Sequence, residues 1–282
     1  MICEKIDLYE YFNVQRGGAT GGFLHTYART PYPDIKPKLR PAMLILPGGA
    51  YLRVSGRESE PIALAFLNEG YSSFVLDYST SVPYPTQLIE GCMAMAYIRE
   101  NAAKYTVDVR HVAATGFSAG GHLCCMLAAM YNEKTVQDVL GERANFYRPD
   151  AVVLGYPVVS MQNGVTHELT RKIISDDGKV AYDTLSIDKR IGKDSSPAFI
   201  WHTFEDEAVS VENSLLLASA YKKANVPFAL HVFEKGWHGL SLCVGETDDR
   251  TEREEELTYV GKWFSLAIDW LTARGFKVEV VK

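Results

Sequence analysis

Ser118 stands at the centre of Gly116-Phe117-Ser118-Ala119-Gly120, a G-x-S-x-G pattern. A serine hydroxyl is a poor nucleophile at neutral pH. It needs a base within hydrogen-bond reach and a third group that orients the base; a set so equipped carries out acyl transfer. The pattern has this meaning only where a strand runs into a sharp turn and a helix follows. Residues 111–115 suit a short buried strand, and residues 123–131 are helix formers without a proline. At such a turn the serine is pushed over the sheet edge. Gly116, Gly120 and Gly121 allow strand and helix to pack closely, and the free N–H groups of a helix start favour developing negative charge. Any glycine-rich strand-to-helix turn also fits the pattern, so the base, the acid and an oxyanion site must come from elsewhere in the chain.

In open parallel sheets, reactive groups gather at the carboxyl ends of the strands. Of seven histidines, His238 lies in Gly236-Trp237-His238-Gly239, a glycine-bounded loop just after a strand expected over 227–234, where a mobile base belongs. His25, His111, His202 and His231 are expected to be structural, and His167 falls in an insertion. His122 follows Ser118 on the same helix and is directed along it. Three adjacent carboxylates, Glu205, Asp206 and Glu207, follow a strand expected over 197–202. Asp206 is favoured because it precedes Val209, which packs inward; Glu205 and Glu207 are expected to be solvated. For the oxyanion, Ala119 supplies one N–H as the residue after the nucleophile. The turn Pro47-Gly48-Gly49-Ala50-Tyr51 supplies Gly49 and Ala50, with Gly48 next in line.

The elements that must hold these groups follow from the apolar pattern. Residues 6–11 and 23–27 alternate as two antiparallel strands, and Pro31, Pro33, Pro37 and Pro41 mark an extended connection. Residues 42–46 form a continuous apolar run, the mark of a strand buried on both faces. Helices are expected over 58–69, 86–105, 212–224 and 254–275, and further strands over 71–78, 151–156, 197–202 and 227–234. Gly70 reads as a helix stop. Residues 160–195 are polar and irregular, an insertion over one end of the sheet. The β-α-β alternation from residue 42 onward favours one mostly parallel sheet with helices on both faces, an α/β fold in a single domain over residues 1–282.

Of the 282 residues, 47% are hydrophobic, enough for a substantial core, and the net charge is −6. No Lys/Arg cluster is present, which argues against nucleic acid or an anionic membrane as partner. No 18-residue apolar run and no apolar leader at residues 1–7 are seen, so a cytoplasmic location is expected. The five cysteines, Cys3, Cys92, Cys124, Cys125 and Cys243, match neither a disulfide framework nor a zinc site, and no metal is expected. Nothing in the sequence sets an oligomeric state.

With these residues assembled, the chain resembles the α/β-hydrolase superfamily, and within it the small acetyl-esterase and xylan-esterase-like carbohydrate esterases related to the hormone-sensitive-lipase esterases. The resemblance spans roughly residues 40–270. It rests on Leu46-Pro47-Gly48-Gly49-Ala50-Tyr51, Tyr84-Pro85-Thr86-Gln87-Leu88, the segment 116–122, the segment 196–203, Val211-Glu212-Asn213-Ser214 and Gly236-Trp237-His238-Gly239. The chain order Ser118, Asp206, His238 is that of the superfamily. The resemblance implies ester hydrolysis through an acyl-enzyme without a cofactor. Departures are Pro47 where the lipase-type motif begins with His, Ser210 in place of a Val-Pro partner after the acid, and Ser79 where an arginine often follows the tyrosine at the position of Tyr78.

The ester itself is less defined. Tyr51, Tyr156 and Trp237 either line a sugar-binding site or pack the insertion against the domain. The insertion lacks a large apolar run, so a small ester such as an acetylated sugar or oligosaccharide fits better than a triglyceride. Two other functions share the fold. One is a peptidase of the prolyl-oligopeptidase kind, for whose propeller the chain has no room; the other is a non-enzymatic binding protein, which would have lost the serine or histidine.

Overall fold

The computed structural model describes residues 1–248 and 254–281. Eight strands form one continuous sheet: β1 (Lys5–Asp7), β2 (Phe23–Tyr27), β3 (Lys38–Leu46), β4 (Ser72–Asp77), β5 (Val107–Phe117), β6 (Val152–Gly155), β7 (Ala198–Thr203) and β8 (Phe228–Phe233). Their order is β1-β2-β4-β3-β5-β6-β7-β8, and β9 (Glu279–Val280) pairs with the start of β3. β3 to β8 are parallel to their neighbours, while β1–β2, β2–β4 and β3–β9 are antiparallel. This is the α/β-hydrolase fold that the sequence led us to expect.

Among the described residues, ten helices accompany the sheet: α1 (Leu8–Tyr11), α2 (Glu60–Asn68), α3 (Thr86–Glu100), α4 (Ala119–Met130), α5 (Lys134–Leu140), α6 (Ala144–Tyr147), α7 (Glu168–Ile174), α8 (Tyr182–Leu185), α9 (Glu212–Lys223) and α10 (Glu254–Ala273). Strand β3 shows why residues 42–46 read as one apolar run. Ala42, Leu44 and Leu46 point into one core with α3, α4 and α9, whereas Met43 and Ile45 point into a second core with α2 and α10. Alternate side chains of a strand face opposite sides, and here both sides are covered.

Residues 8–11 depart from expectation: they are a helical turn, not strand. The Asp7 carboxylate accepts hydrogen bonds from Tyr9 and Glu10 N–H at 3.0 and 3.2 Å, an N-cap that overrides the alternating pattern. The segment between β6 and β7 is more regular than its polarity implied, holding α7 and α8. It is tied down by hydrogen bonds from Tyr84 N–H to Ile174 O (3.0 Å), from His122 Nε2 to Leu185 O (2.8 Å) and from Asn213 Nδ2 to Val165 O (2.9 Å). Cys124 and Cys125 lie in the core and Cys3 is exposed; all five thiols are free. No helix among the described residues is long and apolar enough to cross a membrane.

Candidate active site

Strand β5 lies inside the sheet between β3 and β6 and ends at Phe117; α4 begins at Ala119. Ser118 is the whole connection. Its φ of 54° and ψ of −121° are costly for a residue with a Cβ and project its side chain out of the strand. The helix can turn back this tightly because Gly116 and Gly120 lack side chains. A Cβ on Gly120 would lie 2.1 Å from Leu46 O, and one on Gly116 would lie 2.3 Å from Gly120 O.

His238 Nε2 lies 2.8 Å from Ser118 Oγ, and His238 Nδ1 lies 2.7 Å from Asp206 Oδ2. A carboxylate can only accept, so Nδ1 carries the proton and Nε2 is left to accept from the serine hydroxyl. β7 and the turn after it deliver Asp206; β8 and its following loop deliver His238. Asp206 Oδ1 accepts from Ala208 and Val209 N–H at 3.0 and 2.9 Å, which fixes the carboxylate. Burial by itself would raise its pKa, but hydrogen bonds from His202 and His238 and from Val209 N–H overcome this and hold it well below the usual carboxylate range.

Next to Ser118, the turn after β3 has three successive residues with positive φ: Gly49 (126°), Ala50 (58°) and Tyr51 (60°). At Gly49 a Cβ would meet Arg53 O at 2.1 Å, so only glycine fits. The Gly49 and Ala50 N–H groups have no intramolecular acceptor among the described residues, and Ala119 N–H, at the first position of α4, has none within its helix. Gly48 drops out of the expected donors because its N–H is committed to Glu58 Oε2 at 2.7 Å.

The family model described as BD-FAE matches residues 32–221. The chain belongs to the BD-FAE family. The family is part of an esterase-like α/β-hydrolase group, as its relatives show. Endo-1,4-beta-xylanase B of Butyrivibrio fibrisolvens is 37% identical over 238 residues, covering 81% of this chain and 36% of that protein. Acetylxylan esterase of Xylanibacter ruminicola is 28% identical, covering 71% of this chain and 41% of that one. The chain thus spans well under half the length of these two relatives. The crystal structure of an acetyl ester-xyloside bifunctional hydrolase from Caldicellulosiruptor lactoaceticus superposes with a TM-score of 0.81 at 32% identity, covering 97% of each chain. That of the carboxylesterase Cest-2923 from Lactobacillus plantarum gives 0.83 at 26% identity, covering 98% of this chain and 99% of that one.

In this BD-FAE member, two of the three aromatic residues considered for a sugar site are committed elsewhere. Tyr51 is fully buried, and its hydroxyl donates to His122 Nδ1 at 2.9 Å. His122 Nε2–H in turn donates to Leu185 O, so His122 is a neutral structural bridge; burial lowers its pKa to about 4. Tyr156 is also buried, its hydroxyl donating to Glu58 Oε1 at 2.6 Å and its ring meeting the His238 ring edge-to-face at 4.9 Å between centroids. Neither ring is offered to a ligand. Trp237 is partly exposed, with its indole N–H on Asp248 Oδ2 at 3.0 Å.

Several supporting residues were not singled out from sequence. His202 is fully buried; its Nε2 donates to Val209 O at 2.9 Å and lies 3.4 Å from Asp206 Oδ2, while Ser214 Oγ lies 2.7 Å from its Nδ1. Glu205 is not merely solvated: it accepts from Lys235 Nζ (2.7 Å) and Gly236 N–H (3.2 Å), joining the acid turn to the histidine loop. His167 caps α7, its Nδ1 2.8 Å from Thr170 Oγ1. Burial is the chief cause of its lowered pKa. The sequence signal common to these residues was position at a strand or helix end.

Proposed function

We propose that the chain is a serine carboxylic ester hydrolase acting on short-chain esters, acetyl groups on sugars or oligosaccharides above all. The observation that carries this is the unbroken hydrogen-bond line from Ser118 Oγ through His238 to Asp206, beginning at a strained strand-to-helix turn beside unpaired N–H groups.

His238 Nε2 takes the Ser118 proton as Oγ attacks the ester carbonyl. Asp206, held as a carboxylate, keeps Nδ1 protonated and stabilises the imidazolium that forms. The tetrahedral oxyanion sits against Ala119, Gly49 and Ala50 N–H, whose alignment before reaction lowers the barrier. The imidazolium then gives its proton to the departing alcohol. Water, deprotonated by His238, attacks the acyl-Ser118 carbonyl; the collapse returns the proton to Oγ and frees the acid. Every step is a proton transfer or an acyl transfer within this set.

The acetyl–sugar preference draws support from the acetylxylan esterase and the acetyl ester-xyloside hydrolase, both similar to this chain. In this reading the partly exposed Trp237, next to His238 in sequence, borders the place of the sugar. The test compares the native protein and Ser118→Ala for acetate release from an aryl acetate and from acetylated xylo-oligosaccharides. Native cleavage of both, with a loss of about 10³-fold or more in the variant, is expected. Equal activity in the variant removes the serine mechanism; cleavage of the aryl ester alone removes the sugar assignment.

A further inference from the structure

Glu58 is a buried carboxylate whose two oxygens reach two different parts of the site. It ends the 3₁₀ turn Gly56–Glu58, and its residue is 3% exposed. Oε2 accepts Gly48 N–H at 2.7 Å; Oε1 accepts the Tyr156 hydroxyl at 2.6 Å. The first bond holds the oxyanion turn against the nucleophile: a Cβ built on Gly48 would lie 2.7 Å from Glu58 Oε2 and 3.0 Å from Ser118 Cβ. The second holds the ring on which His238 rests. The Tyr156 hydroxyl also accepts Ser241 N–H at 2.9 Å, and Ser241 Oγ donates to Arg57 O at 2.6 Å, so the far side of the histidine loop is anchored beside Glu58. Burial, with the Glu58 charge next to it, pushes the Tyr156 phenol well up, so this hydroxyl keeps its proton and donates.

Burying a carboxylate is costly, and here the compensation comes from two neutral donors rather than a cation. Both donors adjoin catalytic groups. An apolar residue of similar size would fill the space but leave the Gly48 N–H and the Tyr156 hydroxyl without their acceptor.

We propose that Glu58 is a positioning residue of the reaction: its carboxylate locks the oxyanion turn and the histidine loop into one unit, setting where the oxyanion donors and the base stand relative to Ser118 Oγ. The proposal rests on the serine mechanism given above. Because the unit matters for the tetrahedral state more than for the bound ester, its loss lowers kcat and leaves KM nearly unchanged. Glu58 and Tyr156 also act through one shared bond, so their effects do not multiply.

The experiment measures kcat and KM for an aryl acetate, together with inhibition by a simple alkylboronic acid as tetrahedral mimic. The proteins are native, Glu58→Gln, Tyr156→Phe, the double variant and Ser118→Ala, each with its melting temperature. Expected are kcat losses of about tenfold or more in the two single variants, KM within about twofold of native, and boronate binding weakened in step with kcat/KM. In the Glu58→Gln background, Tyr156→Phe costs less than it does in the native protein, because the bond they share is already lost. A folded Glu58→Gln protein with native kcat overturns the proposal, as do losses that multiply in the double variant. If Glu58→Gln does not fold, Tyr156→Phe, which conserves the ring, decides alone: native kcat and boronate affinity overturn it. Full activity in Ser118→Ala instead strikes the underlying mechanism, whatever Glu58 does.

Discussion

A buried neutral histidine four positions from Ser118 has a measurable signature. The His122 imidazole accepts from Tyr51 and donates to Leu185 O, and burial lowers its pKa from 6.5 to about 4. Between these values the unfolded chain binds a proton that the folded chain refuses, so stability is full above about pH 6.5 and falls as the pH drops toward 4. A shift of this size corresponds to roughly 3 kcal/mol. Urea melts of native protein and His122→Gln at pH 7 and pH 4.5 are expected to show the larger acid loss in the native protein, with the difference between the two lying in this window. The Asp206 carboxylate, whose pKa is lowered, adds its own loss only at more acid pH, as protonation breaks its bonds to His202 and His238. At the same scale, Asp206→Asn keeps the side-chain shape but can no longer stabilise an imidazolium. A fall in kcat of about 10⁴-fold is expected in steady-state assays, with a lowered melting temperature because the stabilising carboxylate is gone.

The elements carry a different kind of prediction, since they work by close approach. Gly120 packs against β3 with no space for a methyl group. Gly120→Ala must therefore move α4 off the strand, shifting Ser118 and opening the core around Cys124 and Leu44. Chemical denaturation should report a loss of about 2 kcal/mol or more, with activity falling as well. Elements of this kind were the most legible in the sequence. The apolar run at 42–46 and the glycines around Ser118 are dictated by burial on both faces and by backbone contact, and both leave a clear mark. Ser118, Asp206 and His238 could be proposed together because strand ends are few and the chemistry needs each type once, and the structure brings the three side chains within hydrogen-bond reach. What escaped was set by local capping or by distant partners. Leu8–Tyr11 turns helical through Asp7. α5 buries one side chain, Val136, too few for a periodic signal. Two-residue β9 has no pattern at all. Glu58 sits in the polar stretch Arg57-Glu58-Ser59-Glu60, where nothing distinguishes it from a solvated carboxylate. Tyr51 and Tyr156 resemble ligand-facing aromatics until their buried partners are known.

Across the whole molecule, the C-terminal helix closes the second core. Trp263 of α10 stacks on Trp201 of β7 at 4.9 Å with an interplanar angle of 12°, and its indole N–H donates to Ser241 O at 2.9 Å. The helix thus supports both the acid-bearing strand and the segment following His238. Trp263→Ala is expected to cost about 3–5 kcal/mol in thermal or chemical melts, and to reduce activity below the temperature of global unfolding.

The three residues of the proposed triad do not share equal anchorage. Ser118 hangs from β5, which has a partner strand on each side, and Asp206 follows β7, flanked by β6 and β8. His238 follows β8, which among the described residues is the last strand of the sheet, bonded on one side only. Resistance to local opening should therefore be lowest at His238. Amide hydrogens of β8 are expected to exchange with deuterium faster than those of β5, and gentle warming should detach the proton carrier while the nucleophile's cradle is still intact. An enzyme working by the proposed mechanism would then lose turnover reversibly before it melts, its most mobile reactive group being the one that handles a proton for both the alcohol and the water.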